Sequence, residues 1–188
     1  MKILCYGDSN TFGHDPANKK NHKKAWPTLI TKHEITNHGA NGRTLTFQPN
    51  DTRFPSAEKF IEEELTDKYD LIIIMLGTND LKYRYHVDNK QFKDTYTYII
   101  KKILDKYPDQ KILLLPIANI YADKEEWQGC IEKRIAFNEI IEKISKDFNL
   151  DFYDYKLLDT SSDKIHLTQN GHQQLANRIN KYLDSIYQ

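Results

Sequence analysis

Short apolar runs alternate along the chain with longer stretches in which apolar residues recur every three or four positions. Residues 3–6 (Ile-Leu-Cys-Tyr), 71–76 (Leu-Ile-Ile-Ile-Met-Leu) and 112–115 (Ile-Leu-Leu-Leu) read as strands, with 34–37 a weaker one and 152–155 a short one. The 71–76 run is rich in β-branched residues and carries no charge, which suits the middle of a sheet rather than its edge. Residues 26–33 and 56–65 read as shorter helices. The 89–107 segment places Phe92, Tyr96, Ile99, Ile103 and Tyr107 on one face, and 130–148 does the same with Ile131, Ile135, Ile141, Ile144 and Phe148. A last helix starts at Gln169 with Thr168 as its cap and carries His172, Leu175, Ala176, Ile179, Leu183 and Ile186. Strands alternating with helices predict parallel βαβ units with right-handed crossovers, hence an α/β fold of three layers, α/β/α. Ligands of such folds bind beyond the carboxyl ends of the strands, so the residues after each strand should hold the chemistry.

Composition narrows the function. The 188 residues show no internal repeat, low-complexity tract or linker, so one domain over 1–188 is expected. Lys+Arg and Asp+Glu both number 27, a net charge of zero, which argues against a nucleic-acid partner held by overall charge. The short basic stretch Lys19, Lys20, His22, Lys23 and Lys24 reads as a solvated loop. Two distant cysteines, Cys5 and Cys130, make neither a disulfide framework nor a zinc site. No apolar run approaches the ~18 residues of a membrane span, and the N-terminus runs straight into a strand. A cytoplasmic protein without a membrane partner is expected. Neither a P-loop nor a G-x-G-x-x-G pattern follows the first strand, which disfavours nucleotide binding.

The strand ends are chemically rich. After the first come Gly7-Asp8-Ser9-Asn10-Thr11-Phe12-Gly13, and after the second Asn37-His38-Gly39-Ala40-Asn41-Gly42-Arg43-Thr44. Gly77-Thr78-Asn79-Asp80 follows the third, and Asp163-Lys164-Ile165-His166 precedes the last helix. Each could be an ordinary turn or cap. A serine, glycine, asparagine, aspartate and histidine all falling where the fold gathers them is harder to explain that way. His14, His22, His33, His38, His86 and His172 read as structural or solvated, and Asp8 and Asp80 as turn and cap residues that order the loops.

In this ordered set the chain resembles the SGNH, or GDSL-type, hydrolases. Gly7-Asp8-Ser9 matches their first block, with Asn10 in place of the leucine. Gly42 within Asn37-x-x-x-x-Gly42-Arg43-Thr44 matches the second, Gly77-x-Asn79-Asp80 the third and Asp163-x-x-His166 the fifth. The chain looks most similar to bacterial arylesterase and acyltransferase members. The resemblance implies a flavodoxin-like, parallel five-stranded sheet of order 2-1-3-4-5 and hydrolysis or transfer of short acyl esters of small alcohols, aryl groups or carbohydrates. It implies no cofactor or metal, and members of similar type are often homo-oligomers.

Carried over residue by residue, the likeness makes Ser9 the nucleophile, His166 its base and Asp163 the partner of the imidazole. The oxyanion hole would take the backbone N–H groups of Ser9 and Gly42 and the side-chain amide of Asn79. Gly39 is the alternative to Gly42; the match at Asn37 and Arg43-Thr44 favours Gly42. The substrate-binding residues stay open. The loop 116–127, with Asn119, Tyr121 and Trp127, or the segment Lys82, Tyr83, Arg84 and Tyr85 could wall the pocket. A thioesterase or acyltransferase with the same triad, or a non-catalytic flavodoxin-like binding module, are the competing readings.

Overall fold

The computed structural model describes residues 1–18, 20–22 and 24–186; Lys19 and Lys23 of the basic stretch lie outside the described residues. Strand β1 (Lys2–Gly7) turns directly into the one-turn helix α1 (Ser9–Phe12). A small antiparallel hairpin follows, β2 (His14–Asp15) with β3 (Lys20–Asn21). The main sheet then adds β4 (Glu34–Gly39), β5 (Leu71–Met75), β6 (Lys111–Leu114) and β7 (Asp151–Phe152), all parallel, in the order 4-1-5-6-7. Without the hairpin, that is the 2-1-3-4-5 order of a flavodoxin-like sheet.

Alternation of side chains across the sheet builds the three layers. Leu4, Tyr6, Ile72, Ile74, Ile112 and Leu114 point to one face, against α2 (Ala57–Glu64), α3 (Asn89–Lys106) and α4 (Cys130–Asp147). Ile3, Cys5, Leu71, Ile73, Met75 and Leu113 point to the other, against Trp26 and α5 (Gln169–Ile186). All five residues of β5 are buried, as a run apolar on both faces requires. Each such side chain contributes roughly 1.5–3 kcal/mol relative to exposure.

Local chemistry sets the helix ends. Asp88 caps α3 by accepting from the Gln91 N–H at 2.7 Å, and Thr168 Oγ1 accepts from Gly171 N–H at 3.0 Å at the start of α5.

Three elements differ from expectation. Residues 26–33 form only a 3₁₀ turn, Trp26–Leu29, because Pro27 suits a first turn and Lys32 sits at φ 67°. The strand at 152–155 is just Asp151–Phe152, where edge pairing with β6 runs out. In α4 the buried face is Cys130, Phe137, Ile141 and Ile144, whereas Ile131 and Ile135 are exposed. Their spacing is helical, but they lie on the neighbouring stripe.

Candidate active site

The register brings the strand ends level. Gly7 pairs with Gly39 on one side and Met75 on the other, so the segments leaving β1, β4 and β5 start from one edge of the sheet. Asp8 turns the chain by accepting from the Asn10 N–H at 2.9 Å, which presents Ser9 at the first position of α1. Asp8 is fully buried, and burial pushes its carboxyl up.

Residues 160–167 fold back on themselves, with Thr160 bridged antiparallel to Leu167 and Lys164 at φ 58°. This turn faces Ser9. Ser9 Oγ lies 3.0 Å from His166 Nε2, and His166 Nδ1 lies 2.6 Å from Asp163 Oδ2. The other oxygen, Asp163 Oδ1, accepts from Ser161 Oγ at 2.7 Å and from the N–H groups of Ile165 and His166 at 3.0 Å each. Burial opposes the charge on Asp163, but the hydrogen bonds from His166, Ser161 and the backbone outweigh it and hold the carboxyl well below the usual carboxylate range. Asp163 therefore stays ionised at neutral pH, as an acceptor for a ring N–H.

The two candidate glycines are in different situations. Gly39 N–H donates to Asn37 Oδ1 at 3.0 Å, so it is already used. Among the described residues no acceptor takes the N–H of Gly42 or of Ser9. Gly42 sits at φ +73°, and a Cβ there would come within 2.2 Å of the Phe54 ring, so glycine is required on both counts. Asn79 donates one amide hydrogen to the Arg43 carbonyl at 3.0 Å, which ties the loop after β5 to the one after β4 and leaves its second amide hydrogen unassigned.

Buried polar side chains fix these loops. Asp80 accepts from Leu45 N–H at 2.7 Å, Thr46 N–H at 2.9 Å and Thr46 Oγ1 at 2.7 Å, while Lys133 donates to its carbonyl. Burial nonetheless pushes the Asp80 carboxyl up to about 6. Arg43 is 2% exposed. It donates to the carbonyls of Gly7 and His38, pairs with Glu64 at 2.7 Å and lies 4.3 Å over the Tyr6 ring. Tyr6 in turn donates to Glu64 at 2.6 Å.

Sequence reasoning missed several of these roles. Arg43 entered as a match to a motif, with nothing to mark it as the tie between β1 and β4. Asn10 holds the histidine turn by side-chain bonds to Ile165 and Leu167. His14, read as structural or solvated, sits edge-on to His166 with centroids 4.8 Å apart. Burial and the neighbouring His166 both lower its pKa. His172 is buried, accepts from Trp26 N–H and is held neutral, its pKa pushed down to about 3, chiefly by burial. Of the residues weighed as pocket walls, Asn119 is buried and tied to the Leu158 backbone in both directions, whereas Lys82 lies beside the rings of Phe54, Tyr85 and Trp127. Among the described residues no cluster of three or more His, Cys, Asp or Glu is arranged to hold a metal ion. No helix of the described residues is long and apolar enough to cross a membrane.

An α/β sheet with a serine, histidine and aspartate chained at its carboxyl edge defines the hydrolase class to compare. The chain belongs to the GDSL-like lipase/acylhydrolase family, which it matches over residues 5–174. It is thereby a carboxylic ester hydrolase. No curated protein matches it in sequence. Its fold is similar to that of a carbohydrate acetylesterase from Sinorhizobium meliloti, at 21% identity and TM-score 0.83 with 99% of each chain covered. It is also similar to that of an aryl esterase from M. smegmatis, at 22% identity and TM-score 0.83 with 98% of this chain and 99% of that one covered.

Proposed function

We propose that the protein hydrolyses short-chain acyl esters through an acyl-enzyme on Ser9. The observation that carries this reading is the unbroken chain from Ser9 Oγ to His166 to Asp163, at 3.0 and 2.6 Å. His166 takes the Ser9 proton as Oγ attacks the ester carbonyl. Asp163 accepts from Nδ1–H, fixes the tautomer and stabilises the imidazolium. The N–H groups of Ser9 and Gly42 and the Asn79 amide donate to the tetrahedral oxyanion. The imidazolium then gives its proton to the leaving alcohol. Water repeats the sequence on the acyl-enzyme, releases the acid and restores Ser9.

Short acyl groups and a cytoplasmic setting are part of the same reading. The first rests on the likeness to acetyl- and aryl-ester hydrolases. The test is a ladder of p-nitrophenyl esters, acetate through octanoate, with wild type beside Ser9→Ala. The expected result is Ser9-dependent turnover that declines with chain length. Turnover that survives in Ser9→Ala, or an optimum at octanoate, would overturn the mechanism or the substrate class respectively.

A further inference from the structure

The loop after Asn79 carries a cation that makes no direct ion pair among the described residues. The Lys82 ammonium sits among three aromatic rings, 5.3 Å from the Trp127 centroid, 5.8 Å from Phe54 and 6.0 Å from Tyr85. Among the described residues it makes no ion pair and its side chain makes no hydrogen bond. It is partly buried, and desolvation, with the nearby Arg84 cation, lowers its pKa against the weaker opposing pull of Glu126 and Asp51.

The cations around it are already engaged. Arg53 grips Asp51 through Nε at 2.7 Å and a second nitrogen at 3.0 Å; Arg84 reaches the same carboxylate at 3.1 Å and Glu126 at 3.5 Å. Tyr85 also donates to Asp51, at 2.8 Å. Two carboxylates thus serve two arginines, and Lys82 is the charge left over. A cavity of about 590 Å³ adjoins this group and is walled in part by Asp51, Arg53, Arg84 and Tyr85.

Phe54 links this group to the chemistry. Its ring is the one packed against Gly42, whose N–H is the candidate oxyanion donor. Lys82 itself directly follows the 3₁₀ turn Asn79–Leu81 that begins with the other candidate donor. Through Phe54 the Lys82 ammonium thus lies on the Gly42 side of the site, between that candidate donor and the residues that wall the cavity. Aromatic faces alone hold a cation weakly, whereas an anion would give it a charge-assisted hydrogen bond.

We infer that Lys82 forms a subsite for an anionic group on the substrate, so that the preferred esters carry a carboxylate, sulfate or phosphate near the scissile bond. This rests on the esterase reading above and names its substrate class. The anion could belong to either half of the ester, and the two arms of the test separate these sources.

On the alcohol side, 4-acetoxybenzoate is compared with its neutral methyl ester at the carboxyl group. On the acyl side, mono-p-nitrophenyl glutarate is compared with p-nitrophenyl valerate. The readout is the ratio of kcat/KM, anionic over neutral, in wild type, Lys82→Met and Lys82→Arg. Lys82→Met keeps the stem against the three rings and removes the charge. The wild-type ratio is expected to be at least about tenfold in one arm, to collapse in Lys82→Met and to recover in Lys82→Arg. A packing role for Lys82 would lower both esters together and leave the ratio unchanged. A ratio near one in both arms, or one that persists in Lys82→Met, overturns the inference.

Calorimetric titration with benzoate and benzamide reads the subsite without turnover. Lys82-dependent preference for benzoate is expected even in Ser9→Ala, and equal binding of the two overturns the inference. Inert esters with Lys82-dependent benzoate binding would overturn the esterase reading alone.

Discussion

The side-chain carbonyl of Asn10, the residue after the candidate nucleophile, accepts a hydrogen bond at 2.9 Å from the backbone N–H of Leu167, the residue after the candidate base. The amide nitrogen of Asn10 donates to the Ile165 carbonyl at 3.2 Å, on the other side of His166. One buried side chain thus sets the position of the histidine turn relative to the serine. Displacing a catalytic group by about 1 Å can cost around 10²-fold. Asn10→Ala is expected to lower kcat by about that factor, with KM changed less than threefold. Steady-state kinetics on p-nitrophenyl acetate check this; a normal kcat in the folded variant removes Asn10 from the positioning role. Asn10→Leu should be similarly impaired, because leucine cannot bond the turn.

Asn79 is argued as an oxyanion donor, and removing one such donor costs about 2.7–4 kcal/mol in the barrier. Asn79→Ala should therefore reduce kcat by roughly 10²–10³-fold. The bond to the Arg43 carbonyl is lost as well, so a small fall in Tm accompanies it. Circular dichroism beside the kinetics separates the two effects, and an undiminished kcat would take Asn79 out of the oxyanion hole.

Arg43 ties the ends of β1 and β4 together and pairs with Glu64. Breaking a buried pair from one side costs about 3–5 kcal/mol, and two carbonyls would also lose their donor. Arg43→Ala is expected to shift the urea midpoint accordingly. Arg43→Lys recovers only part of the loss, since an ammonium cannot reproduce the planar fork. A midpoint within experimental error of wild type for Arg43→Ala would refute the structural role.

Asp80 gives a pH signature. Its carboxyl is pushed up to about 6 by burial, so the folded chain binds this proton more tightly than the unfolded chain does. Between about pH 4 and 6 the folded state holds more protons, and stability falls as pH rises through that window before levelling off. The Asp80 share of the fall is about 3 kcal/mol, to order of magnitude. Asp163 acts with the opposite sign: its depressed pKa adds stability that is present above the ordinary carboxylate range and lost as pH falls below it. Denaturation from pH 4 to 7 should show a shallower decline in Asp80→Asn than in wild type. Equal slopes would contradict the assignment.

Much of this was legible in the chain. The 71–76 run reads as a central strand because it is continuous, apolar and β-branched, the ends of the first and third predicted strands then point to Ser9 and Asn79, and His166 comes from the Asp163-x-x-His166 pattern before the last helix. The motif match already favours Gly42 over Gly39, and the structure adds what no pattern could, that the Gly39 N–H is engaged by Asn37. Asn10 and Arg43 were hidden for a different reason. Their partners lie 155 and 21 residues away, at Ile165 and Glu64, and no local pattern marks such pairs. Ile131 and Ile135 misled because period alone does not reveal which stripe of a helix meets the core.

The most direct test of the account is labelling with an alkyl fluorophosphonate followed by peptide mass spectrometry. One adduct per chain is expected, on Ser9, formed slowly in His166→Ala and absent in Ser9→Ala. A folded wild-type protein that stays unlabelled, or carries the adduct on another residue, would contradict Ser9 as the nucleophile.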